Sequence, residues 1–255
     1  MIAPPRSVAF FRALAIAGVT AVVLTACASN RGSMPSPEYS GLPGGAGQQT
    51  VAELSARYQR NPRDKATIVH FAAALRAQGQ SQQAVAVLEQ GVGLYPEDAT
   101  IAVAYAKALT ANGRLDQSLA VLDRVIRPDM PDWNALLVKG ATLDQMGRNH
   151  EARRLYQQAQ LLAPDEASVE TNLGLSYAMT DDLTTAEKHL RRAVQMRGAS
   201  TRTRQNLALV VGLQGRFEEA RGLYAAELPP EQVESNMAYV RSLLTQQNRW
   251  DLIRG

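Results

Sequence analysis

Residues 132–164 read DWNALLVKGATLDQMGRNHEARRLYQQAQLLAP: an apolar helical run, a Gly147-Arg148 break, a second helical run and a proline stop. Shifting this stretch by 34 residues lays it over its neighbours on both sides. Gly79, Gly113, Gly147, Asp181 and Gly215 fall in one such series, and Ala84, Ser118, Ala152, Ala186 and Ala220 in another. The first run carries a small residue at Ala72, Ala106, Gly140, Gly174 and Ala208. The second carries a large one at Leu88, Leu122, Tyr156, Leu190 and Tyr224. Small residues let two helices of a hairpin approach, the large residue fills the gap beside them, and glycine lets the chain reverse through a left-handed conformation. Aspartate tolerates that conformation, so the turn at Asp181 is expected to survive at some cost. Pro62, Pro96 and Pro164 are expected to end second helices, with Gly198 in place of proline in the fourth unit.

The period and the helix-turn-helix pattern resemble the tetratricopeptide repeat (TPR). The resemblance implies an all-α fold, a TPR α-solenoid in which helical hairpins stack into a right-handed superhelix. Five units are expected at 65–98, 99–132, 133–166, 167–200 and 201–234. No unit can bury its apolar face alone, but stacked units share one core. A capping helix is expected within 50–64, and a partial repeat or capping helix over 235–255. There Met237, Val240, Leu243 and Leu244 would cover the exposed end of the core, and Gln247-Asn248-Arg249-Trp250 echoes Gln214-Gly215-Arg216-Phe217.

The likeness to TPR arrays also implies that first helices line a concave groove through their second, fifth, sixth, ninth and twelfth positions. The second position holds Asn134, Ser168 and Arg202, the fifth Thr171 and Gln205, the sixth Asn172 and Asn206, the ninth Lys107 and the twelfth Arg76 and Asp144. The partner-binding candidates are Lys107, Asn134, Thr171, Asn172, Arg202, Gln205 and Asn206. Asparagine and glutamine amides offer donors and acceptors to an extended peptide backbone. Asn172, Arg202 and Asn206 resemble part of a carboxylate clamp, but Ser168 stands where the clamp has lysine and its third unit is missing. Trp250 is a candidate terminal anchor for a partner, or part of the cap.

Charge and chemistry narrow the function classes. Formal net charge is +3, and removing Arg6 and Arg12 with an N-terminal signal leaves +1, which gives no footprint for nucleic acid. His150-Glu151 begins a zinc-type HExxH pattern, but Arg154 occupies the place of the second histidine, and His70 and His189 stand alone in helical runs. With no paired nucleophile and base, phosphate loop or cysteine cluster, no enzyme activity, cofactor, metal site or small-molecule substrate is expected.

Arg6 and Arg12 precede an apolar run, Ala13 to Leu24, that is short for a membrane span, and Leu24-Thr25-Ala26-Cys27 follows. This resembles a bacterial lipoprotein signal over 1–26, with Cys27, the chain's single cysteine, as the lipidated residue. Ala28 rather than aspartate after the cysteine implies an outer-membrane anchor facing the periplasm. Residues 27–49 are rich in Ser, Pro and Gly and are expected to form a flexible tether, with a reach of about 25 Å.

A lipobox, a tether and five TPR units, together with ATIVHFAAALRAQGQSQQAVAVLEQGV at 66–92 and SNMAYVRSLLTQQNRWDLIRG at 235–255, resemble the TadD type of tight-adherence (Tad/Flp) pilus assembly proteins. The resemblance implies a non-enzymatic assembly factor, pilotin-like toward the pilus secretin. Two other roles fit the same parts: a periplasmic adaptor that recruits cell-wall hydrolases, and a component of outer-membrane protein insertion.

Overall fold

The computed structural model describes the backbone of residues 44–254 and the side chains of 48–245. The proposed signal, Cys27 and most of the tether lie outside the described residues, as does the side chain of Trp250. Twelve helices are described: α1 Gly44–Arg60, α2 Lys65–Ala77, α3 Ser81–Leu94, α4 Ala99–Ala111, α5 Leu115–Val125, α6 Trp133–Gln145, α7 Asn149–Leu162, α8 Ala167–Ala178, α9 Leu183–Gln195, α10 Thr201–Leu213, α11 Phe217–Ala225 and α12 Pro230–Arg254. First helices begin at 65, 99, 133, 167 and 201, and second helices at 81, 115, 149, 183 and 217. Both series keep the 34-residue step throughout. Each helix packs on the next in sequence, and α2 on α4, α4 on α6, α6 on α8 and α8 on α10, which is the stacking of a solenoid.

Local chemistry sets the boundaries. Asp64, Asp98 and Asp132 cap α2, α4 and α6 by accepting from the amides of Thr67, Ile101 and Ala135 at 2.8, 3.1 and 2.7 Å. Ser200 does the same for Thr203 at 3.1 Å, and such a cap contributes about 1 kcal/mol. Glu166 takes the corresponding place before α8 without a side-chain cap. The hairpin turns all pass through positive φ, at Gly79, Gly113, Gly147 and Gly215 and also at Asp181, whose φ of 66° is the single non-glycine case among the described residues. At each of these turns the next amide reaches back to the last turn of the first helix, as in Arg148 N–H to Leu143 O at 2.9 Å and Asp182 N–H to Tyr177 O at 3.1 Å.

The small-to-large pairing is visible in the packing. A Cβ on Gly140 would lie against the ring of fully buried Tyr156, closer than any real contact, and one on Gly174 would sit 2.7 Å from Leu190 Cγ. The close approach of α6 to α7 and of α8 to α9 therefore requires both glycines.

Both ends differ from their expected limits. Gly44 to Gln49 are helical rather than part of a tether: α1 gains a turn that includes glutamine and alanine, and Gln49 Nε2 donates to Glu53 Oε1 at 3.3 Å. α1 behaves as the second helix of a preceding unit. Its last residue, Arg60, lies 34 residues before Leu94, and the bonds that follow it, Asn61 N–H to Arg57 O and Asp64 N–H to Asn61 O, recur after α3 and α7. Leu54 seats α1 on the core, with Val51 and with Tyr58, whose ring stands 5.5 Å from Phe71.

At the other end, α12 is one helix through residues 247–250, so the echo of a hairpin turn there makes no turn; α12 packs on α10 and α11 as each first helix packs on the unit before it. The chain stays helical there although Asn248, in the place of the turn glycine, tolerates the left-handed conformation. Val233, Met237 and Val240 are buried against unit 5, with Leu243 and Leu244 partly so, as expected for a cap. Among the described residues no helix is long and apolar enough to cross a membrane.

Candidate functional site

The first helices α4, α6, α8 and α10 bring the groove candidates together, but not as one exposed surface. Lys107 on α4 donates from Nζ to Asn134 Oδ1 on α6 at 3.0 Å, and both side chains are buried. This polar bridge joins units 2 and 3. Thr171 is fully buried: its hydroxyl donates to Ala167 O at 2.7 Å and stands 3.2 Å from Thr203 Oγ1 on α10. It is therefore packed between units and out of a partner's reach, contrary to its expected groove role. Asn172 spends its amide on the preceding turn of its own helix, Nδ2 to Ser168 O at 2.8 Å.

Two polar atoms nearby have no hydrogen-bond partner although both are buried: the Ser168 hydroxyl and Asn206 Nδ2. A buried polar group without a partner costs about 1–3 kcal/mol, and such groups are uncommon in native cores. The end of the groove at units 4 and 5 thus retains unspent hydrogen-bonding capacity at these two atoms. Gln205 and Arg202 on α10 are half-buried beside Asn206.

A second set of polar residues, missed in the sequence, joins the units from within. Between units 2 and 3 the hydroxyls of Thr110, Ser118 and Thr142 form a buried triangle, with separations of 2.8, 2.8 and 3.2 Å. Each also lies within hydrogen-bond reach of a backbone carbonyl, Ala106 O for Thr110 and Ser118 and Val138 O for Thr142. Between units 3 and 4 the Asp144 carboxylate, 3% exposed, accepts at 2.8 Å from Asn149 Nδ2, Tyr156 OH and Ser176 Oγ. Asp144 belongs to this joint and not to the groove lining. Burial pushes its pKa up to about 6, against the pull of those three donors and of the Arg153 charge.

Glu170, 1% exposed on α8, lies at the far end of the same joint. It meets His189 Nδ1 at 2.7 Å, Arg192 at 3.2 Å and Gln160 Nε2. Burial pushes its carboxyl up, but the His189 bond and charge, with Arg192 and Gln160, outweigh it and hold the group below the usual glutamate range. His189 stacks on Tyr177 with ring centroids 5.4 Å apart, and Arg153 covers that ring at 4.5 Å. These residues tie α7, α8 and α9 together. Among the described residues no group of three or more His, Cys, Asp or Glu is placed to hold a metal ion.

A solenoid of stacked helical hairpins defines a class, the repeat scaffolds that present a surface to other proteins. Residues 75–140 and 137–201 match tetratricopeptide-repeat families. The chain is an all-α tetratricopeptide-repeat solenoid. Its fold is similar to that of TTC0263, a thermophilic TPR protein of Thermus thermophilus, with a TM-score of 0.61 and 19% identity, covering 69% of this chain and 98% of that one. The Cut9-Hcn1 hetero-tetramer of the APC/C is similar at a TM-score of 0.62 and 15% identity, over 92% of this chain and 46% of that one. The human IFIT1 dimer with m7Gppp-AAAA is similar at 0.61 and 16%, over 78% and 50%. At these identities the likeness concerns the fold. A search of curated proteins found no match.

Proposed function

We propose that the protein is a membrane-tethered scaffold that holds an extended segment of a partner protein in the concave end formed by units 4 and 5, in the service of Tad/Flp-type pilus assembly. The observation that carries the groove is the pair of buried, unpartnered atoms, Ser168 Oγ and Asn206 Nδ2. Both atoms are closed to solvent, so a peptide backbone reaches them only once the two side chains rotate outward; it then supplies a carbonyl to the amide and either partner to the hydroxyl, which removes a standing desolvation cost. Half-buried Gln205 and Arg202 flank the same stretch. The tether and the pilus role rest on the sequence: the Leu24-Thr25-Ala26-Cys27 signal and the likeness of 66–92 and 235–255 to TadD-type proteins. A secretin or another pilus component is the partner this reading names.

Photo-crosslinking in cells from Gln205, with a parallel probe on the convex side, tests the groove and the partner together. The expected result is capture of a pilus component from Gln205 alone. Capture of cell-wall hydrolases would replace the pilus role with the adaptor role, and equal capture from both faces would remove the groove. Cys27→Ser is expected to leave the array folded and release it from washed membranes. Its retention there would contradict the anchor.

A further inference from the structure

The joint between units 3 and 4 is built around one carboxylate that three helices share. Asp144 is contributed by α6, Asn149 and Tyr156 by α7 and Ser176 by α8, and all three partners reach it at 2.8 Å. Such a buried acid can serve in either protonation state, because two of its partners are hydroxyls that accept as well as donate. Protonated on Oδ2, the carboxyl donates to the Tyr156 hydroxyl, while Asn149 and Ser176 continue to donate to Oδ1. Ionised, it needs all three donors and still loses its hydration.

We propose that Asp144 makes the joint between units 3 and 4 a proton-responsive hinge, closed firmly when the carboxyl is protonated and opening more readily when it is ionised. Its surroundings set the direction. From α7 it faces Arg153, Tyr156 and Asn149, and from α8 Ser176, with Tyr177 beneath Arg153. Arg153 is itself engaged, donating to Thr180 Oγ1 at 3.0 Å, stacked on Tyr177, and within the field of Asp182 at the start of α9. It therefore compensates the Asp144 charge at a distance rather than by contact. α4, which packs on α6 from the side of unit 2, presents Thr110 to Thr142 and its Lys107 to Asn134, and sends no charged side chain to Asp144 in these contacts. The hinge carries consequences for the groove, because α6 and α8 also bear Asn134 and Ser168.

The sign follows from linkage. The folded joint binds a proton more readily than an unfolded chain does, so its stability rises as pH falls through about 6 and levels off near the unfolded value of 3.8. Amide hydrogen exchange of the full chain, corrected for intrinsic rates, is the measurement. Protection of α8 is expected to fall about tenfold between pH 5 and pH 7.5, with α2 and α3 changing little. Asp144→Asn is expected to abolish that difference. An unchanged pH dependence in the variant would overturn the proposal. If the variant fails to fold, the carboxyl carbon resonance of Asp144 in the parent protein decides: a midpoint near 6 upholds the hinge, and one at or below 4 removes it.

Discussion

Asp144 and Glu170 stand at opposite ends of one joint, both with little exposed surface but Asp144 the more deeply embedded, and their environments drive them in opposite directions. Asp144 meets neutral donors and a charge at one remove, so burial prevails. Glu170 meets His189 directly and Arg192 beyond it, so charge prevails over burial. The two carboxylates hold the same helices by different physics. One is a hydrogen-bonded hub whose ionisation is a burden, the other an ion cluster whose ionisation is the bond. Depth and the chemical type of the partners together set the behaviour of a buried acid: Asp144 is deeper and meets neutral donors, and Glu170 is shallower and meets a histidine and an arginine.

Removing the ion cluster is expected to have the largest effect. Glu170→Ala strands Gln160 and His189, and the loss should be about 2–3 kcal/mol, below the full figure for a buried pair because Arg192 can turn to water. Chemical denaturation at pH 7 measures it, and a loss under about 0.5 kcal/mol would place the cluster among ordinary surface pairs. The pH arm sharpens the contrast. With its folded pKa depressed, Glu170 contributes stability above about 4.5 that is lost as pH falls through the folded value. Glu170→Gln should therefore flatten the acid limb of the stability profile and leave the fall between pH 5 and pH 7.5 that Asp144 causes.

The hairpin turns of the same two units give the next effects. Gly147→Val places a β-branched residue at a φ of 75°, where a Cβ meets nothing within 4 Å, so the cost is backbone strain alone, about 2 kcal/mol. Asp181→Gly should act in the opposite sense, gaining a few tenths to about 1 kcal/mol by releasing the strained aspartate. Thermal melting of both variants tests the assignment, and equal shifts of the same sign would refute it. Tyr156→Phe is a change of similar size. It keeps the packing on Gly140 but takes one donor from Asp144, and it should cost about 1 kcal/mol at pH 7.5 and less at pH 5.

The repeat was legible because it is written in backbone requirements. Five left-handed turns and the small-to-large pairs across each hairpin constrain sequence locally, and Asp181 read correctly as a tolerated exception. The groove was legible only in part. Position within a helix says which way a side chain starts, but Thr171 and Asn172 are short and polar enough to return to their own helix's carbonyls, and that choice depends on the neighbouring unit. Asp144 and Glu170 stood in view as charges on apolar helices. Their partners lie 5 to 32 residues away on other helices, so no local pattern announces them. The Ser118 departure from its alanine series was the one signal of the hydroxyl triangle. At the ends, a glycine-rich composition hid the first turn of α1, and a repeat echo suggested a bend in α12 that asparagine does not make.

The antiparallel placement of α1 has a mechanical meaning. Because α1 runs as the second helix of a preceding unit, Gly44 opens at the edge where Gly79, Gly113 and Gly147 turn, and Leu94, Met130, Leu161 and Leu162 are exposed along the other edge. A pull applied at Gly44 is borne first by Val51, Leu54 and Tyr58, which among the described residues pack against unit 1. Tension applied there would detach α1 before units 2 to 5 lose their stacking, because a solenoid unit is held by its neighbours alone.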